Sequence, residues 1–514
     1  MNLPEFRNEA YADFHDPQTQ EIQRAALERV KGELGREYPL LIGGERISTG
    51  SLLISTNPSR PAEVVGRHHK ADAALARRAV EAADEAFHEW SHTLAEDRVR
   101  MLLRAADLIR QRKFEFNAWL SLESGKTFPE AEAETCEAID FCEYYARQML
   151  RFLPAPCPVQ LPGEENTLLY LPLGVGVVIP PWNFALAILA GMTVASLVTG
   201  NTTVVKPSSE TPTIAQKFAE VLLEAGFPPH SFSLLVGSGA EVGDVLVEHP
   251  RTRFVSFTGS REVGLRVNEL AARPQKGQIW IKRVVAEMGG KDAIVVDREC
   301  DLDEAATGVM QSAFGYQGQK CSACSRAIVD ESVYDEFLEK LKDRVAKIRI
   351  GESDSFDVSM GPVISERARK GILNYIEVGN AEGRLVAGGE AQDNFIPPTV
   401  IADVEPDARI FREEIFGPVL AVTKARDFDH AIRLANDSEY GLTGAVYTSN
   451  PEKIEQSRDR FHVGNLYINR KCTGAMVGAH PFGGFNMSGT DSKAGGPDYL
   501  LQFLQAKSIA RKVS

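Results

Sequence analysis

From residue 173 onward, short runs rich in valine and isoleucine alternate with helical patterns of about 10–15 residues, and that alternation leaves a chain of this kind few choices of fold. Parallel strands need crossovers long enough to hold a helix, so the pattern predicts βαβ units, an α/β fold and a parallel sheet. The expected strands lie at 173–179, 202–205, 233–236, 254–257 and 279–286, and the expected helices at 184–198, 213–225, 241–248 and 261–272. The helix at 213–225 carries its own punctuation, Thr211-Pro212 before it and Gly226 after it. After Gly289-Gly290 the alternation resumes at 293–296, 303–314, 327–329 and 331–348, which makes the glycine pair a domain boundary. Upstream, 72–90, 96–112 and 130–152 repeat apolar residues at three-to-four spacing, as amphipathic helices do. Paired Gly43-Gly44 between apolar runs predicts a hairpin at 39–47, and the tail 500–513 reads as an edge strand given to a partner.

A chain of 514 residues is too long for one core, so two or three domains are expected. The formal charge is −14, with no run of Lys and Arg, which excludes nucleic acid and membrane surfaces as partners and leaves a small molecule as ligand. Residues 166–205 contain no charged side chain, yet Pro180, Pro181 and Asn183 interrupt them, and the apolar run 184–198 is too short for a bilayer. That stretch is expected to be a buried strand, turn and helix. Seven scattered cysteines and a start without an apolar core region predict no disulfide framework, no signal peptide and a cytoplasmic location.

A parallel sheet binds ligands at the carboxyl ends of its strands. The polar residues expected there are Asn183, Lys206 to Ser209, Gly237 to Gly239, Thr258-Gly259-Ser260 and Glu287, which resembles a nucleotide site. The usual G-x-G-x-x-G fingerprint is missing, because Gly243 comes one position late after Gly237 and Gly239. The loop from Gly315 to Arg326 follows a helix and precedes a strand, so it can hold Cys321 in a cleft. Lys320 and Arg326 beside that thiol are expected to lower its pKa and favour the nucleophilic thiolate. Cys321 and Cys324 also have the spacing of a redox pair or half a zinc site, but no second ligand pair accompanies them, and no metal is expected.

Six motifs then occur in a recognisable order: Pro180-Pro-Trp-Asn183-Phe184, Lys206-Pro-Ser, Phe257-Thr-Gly259-Ser260, Glu287-Met-Gly-Gly-Lys291, Gly318-Gln-Lys-Cys321 and Glu413-Glu414-Ile-Phe416-Gly-Pro418. Together they resemble the aldehyde dehydrogenase superfamily over about residues 38 to 510. The segment from Asn469 through Thr473-Gly474-Ala475 to Gly484, with Ser488-Gly-Thr490 and Gly495-Gly-Pro497, resembles the branch that oxidises L-glutamate γ-semialdehyde to L-glutamate. The resemblance implies a Rossmann-like NAD-binding domain, an α/β catalytic domain and a small β oligomerisation arm. Its boundaries are an extension at 1–37, an NAD-binding domain at 38–155 and 173–288, a catalytic domain at 289–480, and an arm at 156–172 and 485–514.

Residue by residue, the resemblance implies Cys321 as nucleophile, the Asn183 amide and the Cys321 N–H as oxyanion donors, and Glu287 as base for the hydrolytic water. Each has a plainer reading, Asn183 as a helix cap and Glu287 as a solvated strand end. For NAD, the resemblance implies Pro181, Trp182, Lys206, Ser209, Gly239, Gly259, Ser260, Glu414 and Phe416. Many NAD-preferring relatives have Glu where Ser209 stands, so the short neutral serine leaves NADP as a weaker alternative. For substrate it implies Phe184 and Phe485 along the aliphatic chain, with Ser322, Gly474 and Ala475 at the α-carboxylate. It also implies a homo-oligomer built from dimers and a functional link to proline dehydrogenase. Alternative functions are a dehydrogenase for another ω-semialdehyde, an inactive structural relative, or a cofactor-free cysteine esterase.

Overall fold

The computed structural model describes residues 3–157 and 159–513. Met1, Asn2, Pro158 and Ser514, which fall in the expected extension and arm, lie outside the described residues.

Two seven-stranded sheets dominate. In the first, the order is Arg283–Glu287, Thr252–Thr258, Val175–Ile179, Thr202–Val205, Phe232–Leu234, Leu40–Ile42, Glu45–Ile47. The first five strands run parallel, and the expected hairpin at Gly43-Gly44 adds the last two antiparallel. The central strand Thr202–Val205 is buried at every residue, because helices cover both faces and no polar alternation is needed. The second sheet runs Arg384–Ala387, Thr399–Ala402, Val419–Ala425, Cys324–Asp330, Asp292–Val296, Thr443–Tyr447, Asn465–Ile468, parallel except for its first strand. Only Met288 to Lys291 separate the last strand of the first sheet from a central strand of the second.

Several expected bounds shift for tertiary reasons. The helix expected from 184 is Ala187–Val198, since Glu134 accepts the N–H groups of Leu186 and Ala187 and caps it from another helix. The expected helix 241–248 splits into a π-helical turn Gly239–Gly243 and the α-helix Asp244–Glu248. The strand expected at 279–286 is Arg283–Glu287, and Ile279 and Ile281 are instead 85% and 89% exposed. The helix Lys113–Ser124 was not foreseen: residues Phe116 to Ser124 are all buried, so the segment shows no amphipathic period to read. It packs in a helical layer with Ala95–Gln111 and Phe128–Leu150.

The tail strand Leu504–Lys512 pairs antiparallel with Glu164–Pro172 of the same chain, and its other edge has no partner among the described residues. Among the described residues no helix is long and apolar enough to cross a membrane.

Candidate active site

The loop that presents Cys321 is held in a conformation a chain rarely chooses. Tyr316, Gln317 and Gly318 are consecutively left-handed, at φ 48°, 56° and 65°. Each non-glycine residue there costs on the order of 1 kcal/mol, so tertiary contacts must enforce the turn. They are visible: the Tyr316 hydroxyl donates to Ser124 O (2.8 Å), and the Gln317 amide donates to Pro362 O (2.5 Å) and Gly125 O (3.2 Å). A β-carbon at Gly318 would lie 2.3 Å from the Gly417 carbonyl oxygen, which requires glycine. The turn delivers Cys321 into a cavity of about 810 Å³, counted with its open mouth. Glu287 lines the same cavity.

The electrostatics of the thiol differ from expectation. Lys320 is turned to Glu130 (2.8 Å), and the Arg326 guanidinium donates to the carbonyls of Lys291, Leu434 and Ala435. Neither cation faces the sulfur. Burial, then the carboxyl groups of Asp292, Glu287 and Glu414, push the Cys321 thiol up rather than down. Glu287 is itself pushed up to about 8, chiefly by burial, although Ser492 Oγ (2.7 Å) and the Gly484 N–H (3.3 Å) donate to its carboxylate. It opens on the cavity and is no solvated strand end.

Asn183 is no helix cap either. Its side-chain Nδ2 donates to Gln319 O (3.0 Å), which ties the turn after Val175–Ile179 to the cysteine loop and leaves the second amide hydrogen without a partner among the described residues. Its carbonyl accepts from Lys126 Nζ (2.6 Å). That lysine is fully buried, paired with Glu134, and sits over the rings of Phe184 (4.2 Å) and Tyr316 (4.4 Å). Neither Lys126 nor Glu134 was expected at the site. The backbone N–H of Cys321 donates to no other described residue.

Phe184, Ser322, Gly474 and Ala475 line the same cavity together with Phe482. The N–H groups of Gly474 and Ala475 have no partner among the described residues. Phe485, expected along the substrate chain, lies elsewhere: its strand Phe485–Asn486 pairs with Tyr440–Gly441, and its ring is 5.0 Å from that of His462. Phe482, three residues earlier, faces the cavity instead. Glu137, Phe141 and Tyr145 also line it from the helix Phe128–Leu150. Their spacing of four marks one helix face, which looks like ordinary core in sequence.

The expected cofactor residues gather at the carboxyl ends of the first sheet. Pro181 and Trp182 follow Val175–Ile179, Lys206 and Ser209 follow Thr202–Val205, Gly239 follows Phe232–Leu234, and Gly259 and Ser260 follow Thr252–Thr258. Ser260 caps the next helix by accepting from the Val263 N–H. Lys206 is buried with its amine donating only to Pro207 O (3.1 Å), and burial alone pushes it down to about 8. A buried ammonium with spare donors and no acidic partner fits ribose hydroxyls. Nothing lies within 4 Å of a β-carbon built on Gly239, so the adjoining turn is open. Across the site, Glu414 accepts from the Gly290 N–H (3.0 Å), and a β-carbon at Gly289 would lie 2.3 Å from its carboxylate. Phe416 adopts φ 57° and meets Trp182 edge-on, ring centres 5.5 Å apart. These residues fit a dinucleotide. Among the described residues no cluster of His, Cys, Asp or Glu is placed to hold a metal ion.

Residues 48–509 match the aldehyde dehydrogenase family. The 1-pyrroline-5-carboxylate dehydrogenase of Geobacillus thermodenitrificans is 58% identical over 509 residues, 98% of this chain and 99% of its own. A structure of 1-pyrroline-5-carboxylate dehydrogenase from Thermus with bound NAD is 50% identical, with a TM-score of 0.98 over 100% of both chains. Proline utilization A from Bdellovibrio bacteriovorus is 41% identical, with a TM-score of 0.97 over 99% of this chain and 53% of that one. With a cysteine and a glutamate meeting in one cavity beside a dinucleotide-shaped sheet edge, and with relatives of this identity along its whole length, the chain belongs to the aldehyde dehydrogenase family.

Proposed function

We propose that the chain oxidises L-glutamate γ-semialdehyde, formed from 1-pyrroline-5-carboxylate, to L-glutamate with NAD, the second step of proline catabolism. The observation that carries the substrate is the cavity itself. Cys321 and Glu287 line it together with Ser322, Gly474 and Ala475; the first two suit an aldehyde carbon, and Ser322 with the unpartnered N–H groups of Gly474 and Ala475 suits a carboxylate. Most of the remaining walls are aromatic or aliphatic, with Glu137 and Thr258 among them. An aldehyde that carries a carboxylate at its far end satisfies both sets of groups at once.

In this reading the Cys321 sulfur bonds to the aldehyde carbon while its proton leaves through cavity water. The oxygen of the adduct gains negative charge and takes hydrogen bonds from the second Asn183 amide hydrogen and the Cys321 N–H. NAD, when bound, supplies the hydride acceptor and, through its positive ring, a field that favours the thiolate. Loss of hydride leaves the carbon as a thioester on Cys321. Glu287 then takes a proton from water, the water oxygen bonds to the thioester carbon, and the C–S bond breaks to release L-glutamate and the thiol. A base pushed up to about 8 is ionised in part near neutrality, which suits a proton that must be taken and given back.

We read the first sheet as the cofactor domain, the second as the catalytic domain, and the other edge of Leu504–Lys512 as the joint of a homodimer from which larger oligomers are built. Ser209, half-buried beside Lys206, leaves room for NADP as a weaker cofactor. The test is NADH formation with glutamate semialdehyde and with propanal. Buried donors left without a carboxylate penalise the latter, and kcat/KM should differ by roughly 10²-fold or more. Equal efficiency would favour a general aldehyde dehydrogenase.

A further inference from the structure

Residues 3–13 form neither helix nor strand, yet they cross the helix Phe128–Leu150 and end against the loop that carries Gly474 and Ala475. A segment without its own ladder must satisfy its polar groups elsewhere, and this one does so at specific points. Asp140 accepts from Asn8 Nδ2 (2.8 Å) and from the Glu9 N–H (2.7 Å), and Glu132 accepts from the Ala12 N–H (2.8 Å). The same Asn8 nitrogen also donates to the Val477 carbonyl at 3.0 Å. The Tyr11 hydroxyl meets the Met476 sulfur at 3.4 Å. Phe6 stacks edge-on with Tyr144, and a β-carbon at Gly478, where φ is +80°, would lie 3.1 Å from both rings.

Val477 is buried in the main core, but few hydrogen bonds from outside hold the loop. Residues 473–476 lack regular structure, and their ties are local: Arg470 donates to the carbonyls of Thr473 and Gly474, and the Met476 N–H donates to His480. The Gly478 N–H donates to Gly495 O. Among the described residues, the side-chain hydrogen bonds that reach 474–478 from outside the C-terminal fifty residues come from Asn8 and Tyr11. The direction of each anchor N–H is set by its peptide plane, and the plane at Val477 is two residues along the same loop.

We propose that the N-terminal segment is part of the substrate anchor, with Asn8 the positioning residue that holds the 474–478 loop in its carboxylate-binding shape through the Val477 carbonyl. The inference rests on the anchor reading above and adds that the extension sets specificity. Asn8 touches neither substrate nor cofactor. It acts only on the part of the cavity that distinguishes a carboxylate-bearing aldehyde from a plain one.

The experiment compares Asn8→Ala and Phe6→Ala with the parent enzyme, measuring kcat and KM for glutamate semialdehyde and for propanal, the Kd for NAD and for L-glutamate, and Tm. Loss of one part-buried hydrogen bond to the loop should raise the semialdehyde KM and the L-glutamate Kd by roughly 3- to 10-fold. The kcat for the semialdehyde, kcat/KM for propanal and NAD binding should stay within about twofold of the parent. A fall shared equally by both aldehydes, or no change in either while Tm drops, would overturn the proposal and leave the segment a scaffold. If the parent itself failed to prefer the semialdehyde, the anchor reading would fall first and this inference with it.

Discussion

Replacing Glu287 by Gln keeps the shape of the side chain and removes its ability to take a proton, so it separates the two halves of the reaction. Ser492 Oγ and the Gly484 N–H reach different carboxylate oxygens, so the amide oxygen can keep the bond from Gly484 while the amide NH2 donates to the Ser492 hydroxyl. With a carboxyl pushed up to about 8, only about one tenth of the parent enzyme carries the base at pH 7 and half at pH 8, a rise of roughly fivefold. Steady-state turnover limited by thioester hydrolysis should follow that curve. In the variant it should fall about 10²- to 10⁴-fold and lose the rise. Rapid mixing with NAD and semialdehyde should then give a burst of NADH near one equivalent per active site, because the thioester still forms. A stability readout is independent of rate. A carboxyl whose folded pKa is raised binds its proton more tightly in the folded protein, so its contribution is full below the usual carboxylate range and is lost as pH rises through about 8. The Tm of the Gln variant should therefore gain on the parent between pH 5 and pH 9, with about 5 kcal/mol as the upper bound, since the group borders a cavity that water enters. Turnover within a few-fold of the parent, or a pH rise that persists in the variant, would remove Glu287 from the hydrolytic step.

Cys321→Ala should abolish dehydrogenase activity, while Cys324→Ala should keep most of it. Cys324 is 1% exposed with its sulfur directed to the Arg326 carbonyl (3.4 Å), and dependence of both variants on the redox buffer would restore the disulfide reading. Ser209→Glu should depress kcat/KM with NADP more than with NAD, by about 1–3 kcal/mol at fixed salt, because a carboxylate there repels a 2′-phosphate that Lys206 otherwise attracts. An unchanged cofactor ratio would show that residue 209 does not face the ribose.

The candidate nucleophile, base and carboxylate-anchor residues could be named from the sequence because each rests on a short stretch of chain whose residue types carry their own chemistry. Gly474-Ala475 announces a bare main chain, Cys321 a thiol on a loop between a helix and a strand, and Gly289-Gly290 a boundary between two runs of alternating strands and helices. The misplacement of Phe485 has the opposite origin. Between Gly478 and Ser488 the only regular element is the two-residue strand Phe485–Asn486, too short to give a period that says which phenylalanine faces inward, and Phe482 lines the cavity. The thiol's environment failed as a sequence inference for a similar reason. Lys320 and Arg326 flank Cys321 along the chain, but side chains of successive residues diverge, and both cations are spent on Glu130 and on three carbonyls.

The sequence by itself determined the parallel sheet, since a valine-rich strand and a helix of matching length have local periods that any short window reveals. It also determined the chemistry available, because thiol, carboxyl and amide are properties of single residues. Only the tertiary structure decided how those groups are tuned and aimed. The left-handed turn at Tyr316 and Gln317 is paid for by Ser124, Gly125 and Pro362, which are remote in sequence. The carbonyl of Asn183 is fixed by Lys126, and that of Val477 by Asn8, 469 residues away. Burial, hydrogen bonding and charge act through space and fall off over a few ångströms, so they are set by which distant segments the fold brings together.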